Sequence, residues 1–145
     1  MRLLFKLLPI LLTLSTTALA QQNGVIKTIS PMPQSSSTGD VFNPISKYMA
    51  QGNAEALSAW FANNLEVTIL ARGGDASKAQ AKQILKSFFD NYTPRSFEIT
   101  HTAGRSNMKY ALAELKAGGE TFQVTIFVSY QGNTYKIQQL KIERL

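Results

Sequence analysis

Two short glycine-containing turns near the C-terminus constrain the fold more than any other feature of the sequence. Gly118-Gly119 and Gly132-Asn133 each separate two runs of alternating apolar and polar residues. A two-residue loop between such runs is typical of a β-hairpin, because its primed turn needs positive φ angles that glycine and asparagine adopt readily. We therefore predict three consecutive antiparallel strands over residues 108–117, 120–131 and 134–144, preceded by a fourth over residues 96–102.

These turns also predict the register of the sheet. Ala117 opposite Glu120, and Gln131 opposite Thr134, place alternate residues of the three strands on one apolar face, which we assign to the core. The opposite face is more apolar than a surface that contacts only water, and such a patch is typical of a protein interface. Our interface candidates on that face are Tyr110, Leu112, Phe127, Leu140 and Ile142.

The region before these strands shows helical periodicity with one strand inserted. Asp40, Asn53 and Asp75 each precede an amphipathic segment, and each can cap a helix. In chain order the predicted elements are a helix ending at Gly52, a helix over residues 54–62, a strand over residues 65–71 closed by Gly73-Gly74, and a helix running to about Asp90.

The N-terminal part of the chain differs in composition from the rest. Arg2 and Lys6 form a basic segment before a short apolar run over residues 7–14, and Ala18-Leu19-Ala20 has the small-residue pattern of a signal-peptidase site. Residues 1–20 thus predict a signal peptide and an exported protein, periplasmic or secreted. The apolar run is shorter than the roughly 20 residues that span a bilayer, so we expect no stable membrane anchor after cleavage. The composition of residues 21–39 predicts a flexible Ser/Pro-rich arm, and we expect residues 40–145 to form the folded domain.

Composition excludes several classes of site. The chain has no cysteine and one histidine, which excludes disulfides, thiolate catalysis and multi-histidine metal sites. Without the predicted leader, 15 − 2 = 13 basic residues oppose 9 acidic ones, a net charge of +4. The basic residues are scattered and not interleaved with aromatics, which disfavours nucleic-acid binding but leaves a weak preference for anionic surfaces. We expect no cofactor and no metal.

The single histidine is the candidate for acid–base chemistry. Our pairing for the strand over residues 96–102 places His101 on the core face, opposite Lys109. A neighbouring cation disfavours the imidazolium and leaves a neutral base. No carboxylate lies beside it in this register, and a lone histidine in such a position more often has no chemical role. The candidates for a ligand pocket in the same interior are Trp60, Phe88, Ala111, Ala113 and Tyr130.

The order of elements resembles the nuclear transport factor 2-like, or cystatin-like, superfamily. The resemblance rests on the helix pair ending in Ala59-Trp60-Phe61, the strand Glu66-Val67-Thr68-Ile69, the helix ending in Phe88-Phe89-Asp90, and the two hairpins. Within that superfamily the chain resembles a small exported family known mainly from Bacteroidetes and described only as a domain of unknown function. The resemblance implies an α+β fold in the order α-α-β-α-β-β-β-β, with a curved antiparallel sheet wrapped on the long helix as a cone with a pocket.

The superfamily includes isomerases, dehydratases, polyketide cyclases and non-enzymatic binding or dimer modules, so the fold does not select a function. We favour a non-catalytic exported module that binds a small apolar ligand or an envelope protein and forms a homodimer through the apolar outer face. The alternative is an isomerase- or cyclase-like enzyme with His101 as the base and a tyrosine hydroxyl as the proton donor. A third hypothesis is a structural role in an envelope complex, with the arm as a tether.

Overall fold

Three helices and a six-stranded sheet make up the computed structural model, which describes residues 40–145. The predicted signal peptide and arm, residues 1–39, lie outside the described residues. In chain order the elements are α1 (Phe42–Gln51), α2 (Ala54–Ser58), β1 (Phe61–Ile69), β2 (Arg72–Ser77), α3 (Lys78–Asn91), β3 (Pro94–Arg105), β4 (Met108–Ala117), β5 (Glu120–Gln131) and β6 (Thr134–Arg144).

The sheet is curved and mixed, with strand order β2-β1-β6-β5-β4-β3. Strand β1 runs parallel to β6, whereas every other neighbouring pair is antiparallel. The last strand of the chain therefore lies inside the sheet, between β1 and β5. The α+β class is confirmed, but the prediction of a purely antiparallel sheet missed this parallel pair.

The two glycine turns have the structure that the sequence predicts. Gly118, Gly119 and Gly132 have φ angles of 58°, 81° and 72°. The bounds of β4, β5 and β6 agree with the prediction, and β4 pairs with β5 in the predicted register along its whole length. Strand β6 follows the predicted register only from the turn to the pair Val128 and Ile137.

A β-bulge in β6 overturns part of the predicted face assignment. The register shifts by one residue between Phe127 and Val128, and Gln138 is the extra residue on β6. An added residue reverses the alternation of side chains between the two faces. Leu140 and Ile142 consequently point into the core, where both are 0% exposed. Their prediction as interface residues is wrong, and they belong to the central hydrophobic cluster.

Strand β2 is absent from the prediction because its turn carries no sequence signal. Leu70 and Ala71 connect β1 to β2 with φ angles of 53° and 69°, as a primed turn requires, but neither is glycine or asparagine. The Gly73-Gly74 pair, predicted to close a strand, lies within β2. At Gly73, with φ of 135°, an added Cβ would lie 2.0 Å from the carbonyl oxygen of Val67.

The extra strand also moves the start of α3. Asp75 lies in β2, and Ser77 caps α3 through a reciprocal capping box.

The predicted cap Asp40 precedes the N-cap position of α1, which is Val41 and forms no side-chain capping hydrogen bond. Asn53 caps α2 as predicted, accepting a 3.0 Å hydrogen bond from a backbone N–H. Helix α2 is shorter than predicted because its final residues belong to the turn and to β1.

The core lies between the helices and one face of the sheet. Helix α3 contributes four buried residues at helical spacing, and the ring of Phe88 packs edge-on against Phe122 of β5 with centroids 5.3 Å apart. Helix α1 adds Ile45 and Met49, both 0% exposed. The long third helix therefore packs against the sheet as the resemblance implied.

We predict that Leu140→Ala lowers the free energy of unfolding by about 2–5 kcal/mol, the usual cost of truncating a fully buried leucine. Leu112→Ala, on the half-buried outer face, should cost clearly less. Urea denaturation followed by circular dichroism measures both values. Equal costs at the two leucines would contradict the inward position of Leu140.

We also predict that Gly73→Ala destabilises the domain by about 1–3 kcal/mol more than Gly74→Ala. Both glycines have positive φ angles, 135° and 155°, so both substitutions introduce backbone strain. Only the Cβ at Gly73 meets a neighbour, since no atom lies within 4 Å of one built at Gly74. Thermal unfolding compares the two variants, and an equal loss would show that the steric clash at Gly73 is relieved.

Candidate functional site

An apolar patch occupies the middle of the outer face of the sheet. Tyr110 of β4 lies directly opposite Phe127 of β5, and Leu112 follows two residues along β4 on the same face. All three are half-buried, whereas Ala111, which lies between Tyr110 and Leu112 on β4, points into the core. Residues opposite each other in an antiparallel pair have neighbouring Cβ atoms on the same face of the sheet. We call these three residues the outer patch.

Polar residues border the outer patch on β6 and β1. Gln139 lies opposite Phe127, and its side-chain amide donates a 2.5 Å hydrogen bond to the carboxylate of Glu66 on β1. One row further along, the ammonium of Lys141 lies 3.5 Å from the carboxylate of Glu143. An apolar centre with a polar rim of both charges is the arrangement found in protein interfaces.

His101 lies beside the outer patch and not inside the cone. A bulge at Thr100 shifts the register between Ile99 and His101, so that His101 pairs with Leu112 on the outer face. Its ring centroid is 6.0 Å from that of Tyr110, and its side chain is exposed. The prediction that His101 occupies the core face is wrong, because the bulge reverses the alternation at this point.

Because His101 lies on the outer face, the enzyme hypothesis loses its proposed general base. Lys109, the predicted partner of His101, pairs with Gly104 instead. A general base must lie within hydrogen-bond reach of a bound substrate, and a histidine on the opposite side of the sheet does not reach the cone interior. We therefore abandon His101 as a catalytic candidate.

The five residues predicted to line an internal pocket have different surroundings. Phe88, Ala111 and Ala113 belong to the closed core, with 4%, 0% and 2% exposure. Trp60 is half-buried in the turn before β1, where its carbonyl accepts a 2.6 Å hydrogen bond from the β6 backbone. Tyr130 is 49% exposed at the end of β5. None of the five lines the cleft between β2 and α3.

A cleft of about 760 Å³ lies between β2 and α3. Asp75 is the one titratable residue on its wall, so the second group that acid–base chemistry needs is not supplied there. The lining residues are Gly73, Gly74, Asp75, Ala76, Ala79, Gln80, Gln83 and Ile84.

Residues 40–145 contain neither a metal-binding cluster nor a membrane-spanning helix. Within residues 40–145, no group of three or more histidine or carboxylate side chains is placed to hold a metal ion. In the same part of the chain, no helix has the length and apolar character needed to cross a membrane.

Sequence reasoning found three members of the outer patch but missed part of its rim. Glu66 and Gln139 come together only through the parallel pairing of β1 with β6. Hairpin turns predict the neighbours of β4, β5 and β6 along the chain, and they carry no information about a pairing between residues 73 positions apart in sequence. The signal available in the sequence was Glu66, the one charged residue of the predicted strand over residues 65–71.

Comparison with known proteins identifies the fold and the family. Residues 42–143 match the family described as "Domain of unknown function (DUF4783)". The chain is 23% identical to a DUF4783 family protein from Bacteroides uniformis, with a TM-score of 0.70 over 73% of this chain and 98% of that chain. No curated protein matches the chain.

Two more distant structures support the same fold. An NTF-2 like protein of unknown function from Silicibacter pomeroyi is 14% identical, with a TM-score of 0.56 over 72% of this chain and 90% of that chain. A domain of unknown function with a cystatin-like fold from Nostoc punctiforme is 13% identical, with a TM-score of 0.58 over 72% of each chain. The family and the fold that the sequence resembles are confirmed, and the chain belongs to the DUF4783 family, a domain of unknown function with a nuclear transport factor 2-like fold.

Proposed function

We propose that this protein is a non-catalytic binding module that forms a homodimer through the outer patch. The observation that carries the proposal is the continuous apolar surface of Tyr110, Phe127 and Leu112 in the middle of a sheet face. Aromatic residues are enriched at the centres of protein interfaces, because they bury a large area at little cost in side-chain entropy. A second copy of the same face is the partner we propose.

The rim of the outer patch supports pairing with a second copy. A two-fold interface brings a surface against itself, so that surface must carry groups of both charges. Lys141 supplies a cation, whereas Glu66 and Glu114 supply carboxylates on the same face. A rotation about an axis through the outer patch can therefore oppose unlike charges in two equivalent places.

A binding role agrees better with the side-chain arrangement than a catalytic one. His101 is exposed on the outer face, and Asp75 is the one titratable residue of the β2–α3 cleft. Acid–base catalysis needs a donor and an acceptor that converge on one substrate. We propose further that the module acts outside the cytoplasm, on the strength of the predicted signal peptide over residues 1–20. An envelope protein that binds the same face is the alternative partner.

We predict that the double variant Leu112→Glu/Phe127→Glu is folded and monomeric, whereas the unmodified protein is a dimer. Four carboxylates at a two-fold interface repel each other and lose hydration when buried. Sedimentation equilibrium over a range of concentrations measures the mass, and circular dichroism checks that the variant is folded. Ile84→Glu is the matched control, since Ile84 is 38% exposed on α3 and away from the outer face. This control variant should remain a dimer.

Two results would contradict the homodimer. One is an unmodified protein that stays monomeric at the highest concentration reached. The other is a folded Leu112→Glu/Phe127→Glu variant whose dissociation constant equals that of the Ile84→Glu control.

A further inference from the structure

We infer that one end of the sheet is a reversible binding surface for membranes containing anionic phospholipids. This end contains the β3–β4 and β5–β6 turns, and we call it the basic end. It is defined by the cations Arg105, Lys109 and Lys136 and by the exposed side chains of Met108 and Tyr130. The inference does not depend on the proposed homodimer, because it rests on different residues.

Charge is unevenly distributed along the strands of the sheet. Residues 99–113 and residues 121–142 contain no aspartate or glutamate. Carboxylates are instead gathered towards the opposite end, where Glu98 lies opposite Glu114, and Gln123 connects that pair to Glu143 across β5. Six residues of β4, about 20 Å, separate Glu114 from Met108 at the basic end. The strands therefore carry cations without carboxylates at the basic end.

The strand pairings place the three cations at the same end of the sheet, with Arg105 and Lys136 on the side of the outer face and Lys109 on the side of the core face. Arg105 pairs with the first residue of β4, Lys109 pairs with Val128, and Lys136 pairs with Ser129, the next residue of β5. The ammonium of Lys109 lies 5.2 Å from the ring centroid of Tyr135, and that of Lys136 donates a 2.9 Å hydrogen bond to a backbone carbonyl. Among the described residues, none of the three cations forms an ion pair. No carboxylate of the described residues therefore neutralises these three charges.

Exposed apolar side chains lie at the same end. Met108 is 41% exposed and Tyr130 is 49% exposed, whereas most large apolar side chains of the domain are buried. The rings of Tyr130 and Tyr135 pack edge-on with centroids 5.1 Å apart. The hydroxyl of Tyr135 donates a hydrogen bond to the carbonyl of Ser106, which joins the two turns. The surface is therefore held in place before any ligand binds.

This combination fits a phospholipid surface. Tyrosine positions its ring and hydroxyl at the boundary between headgroups and acyl chains, while lysine and arginine attract the lipid phosphates. An open cleft of about 460 Å³ beside the β3–β4 turn carries Arg105, Ser106 and Lys109 on its wall, and it can accept a phosphate-bearing headgroup. Two neighbouring turns contact a planar surface at the same time, whereas an acidic peptide would need only the cations. An acidic polypeptide is therefore a separate outcome of the test.

Co-sedimentation with phospholipid vesicles measures membrane binding by the chain without its predicted signal peptide, residues 1–20. Vesicles of phosphatidylglycerol and phosphatidylcholine in equal parts should bind the protein, and vesicles of phosphatidylcholine alone should not. About 1 M salt should release it, because the Debye length then falls to about 3 Å. Arg105→Gln/Lys109→Gln should weaken binding about 25-fold, roughly fivefold for each cation removed. Tyr130→Ser should weaken binding without changing the charge.

The matched control removes the same charge from the opposite end. Arg95 and Lys116 are exposed on β3 and β4 beside the β4–β5 turn. Arg95→Gln/Lys116→Gln should leave vesicle binding unchanged. Equal weakening by both double variants would assign binding to net charge and overturn the inference. Failure of the unmodified protein to bind the anionic vesicles would overturn it too. So would binding to polyglutamate that is as tight as binding to vesicles and equally sensitive to Arg105→Gln/Lys109→Gln.

Discussion

Strand β6 pairs with one parallel and one antiparallel neighbour, and the rest of the domain depends on this constraint. On one side β6 continues the hairpin with β5, and on the other it runs parallel to β1. The bulge at Gln138 lets the same strand match both neighbours. Beyond the bulge, Leu140 and Ile142 meet Val67 and Ile69 of β1 on the core face. The buried positions of Leu140 and Ile142, and the position of Gln139 on the outer face, follow from this one irregularity.

Local signals in the sequence predicted a large part of this structure. The glycine turns defined β4, β5 and β6, and the spacing of apolar residues defined the buried side of α3. These features depend on residues within a few positions of each other. Side chains with strong local preferences for turn or helix conformations therefore suffice to predict them.

The parts that could not be predicted depend on contacts between distant segments or on backbone angles without a residue signature. The bulges at Thr100 and Gln138 involve residues with no special preference for a bulge, yet they move His101 outward and Leu140 inward. The Leu70-Ala71 turn adopts positive φ angles without glycine. A one-residue shift reverses every later side chain, so these small irregularities changed the candidate site more than they changed the fold.

The twin glycines of β2 have a consequence for the behaviour of the protein at high concentration. Strand β2 is an edge of the sheet, and an edge with regular backbone geometry can template the addition of strands from other molecules. The φ angles of 135° and 155° at Gly73 and Gly74 interrupt that regular geometry in the middle of a six-residue strand. Arg72 and Asp75 place charges on either side of the interruption. The short, charged and irregular edge at β2 is therefore a poor template for strands from other molecules.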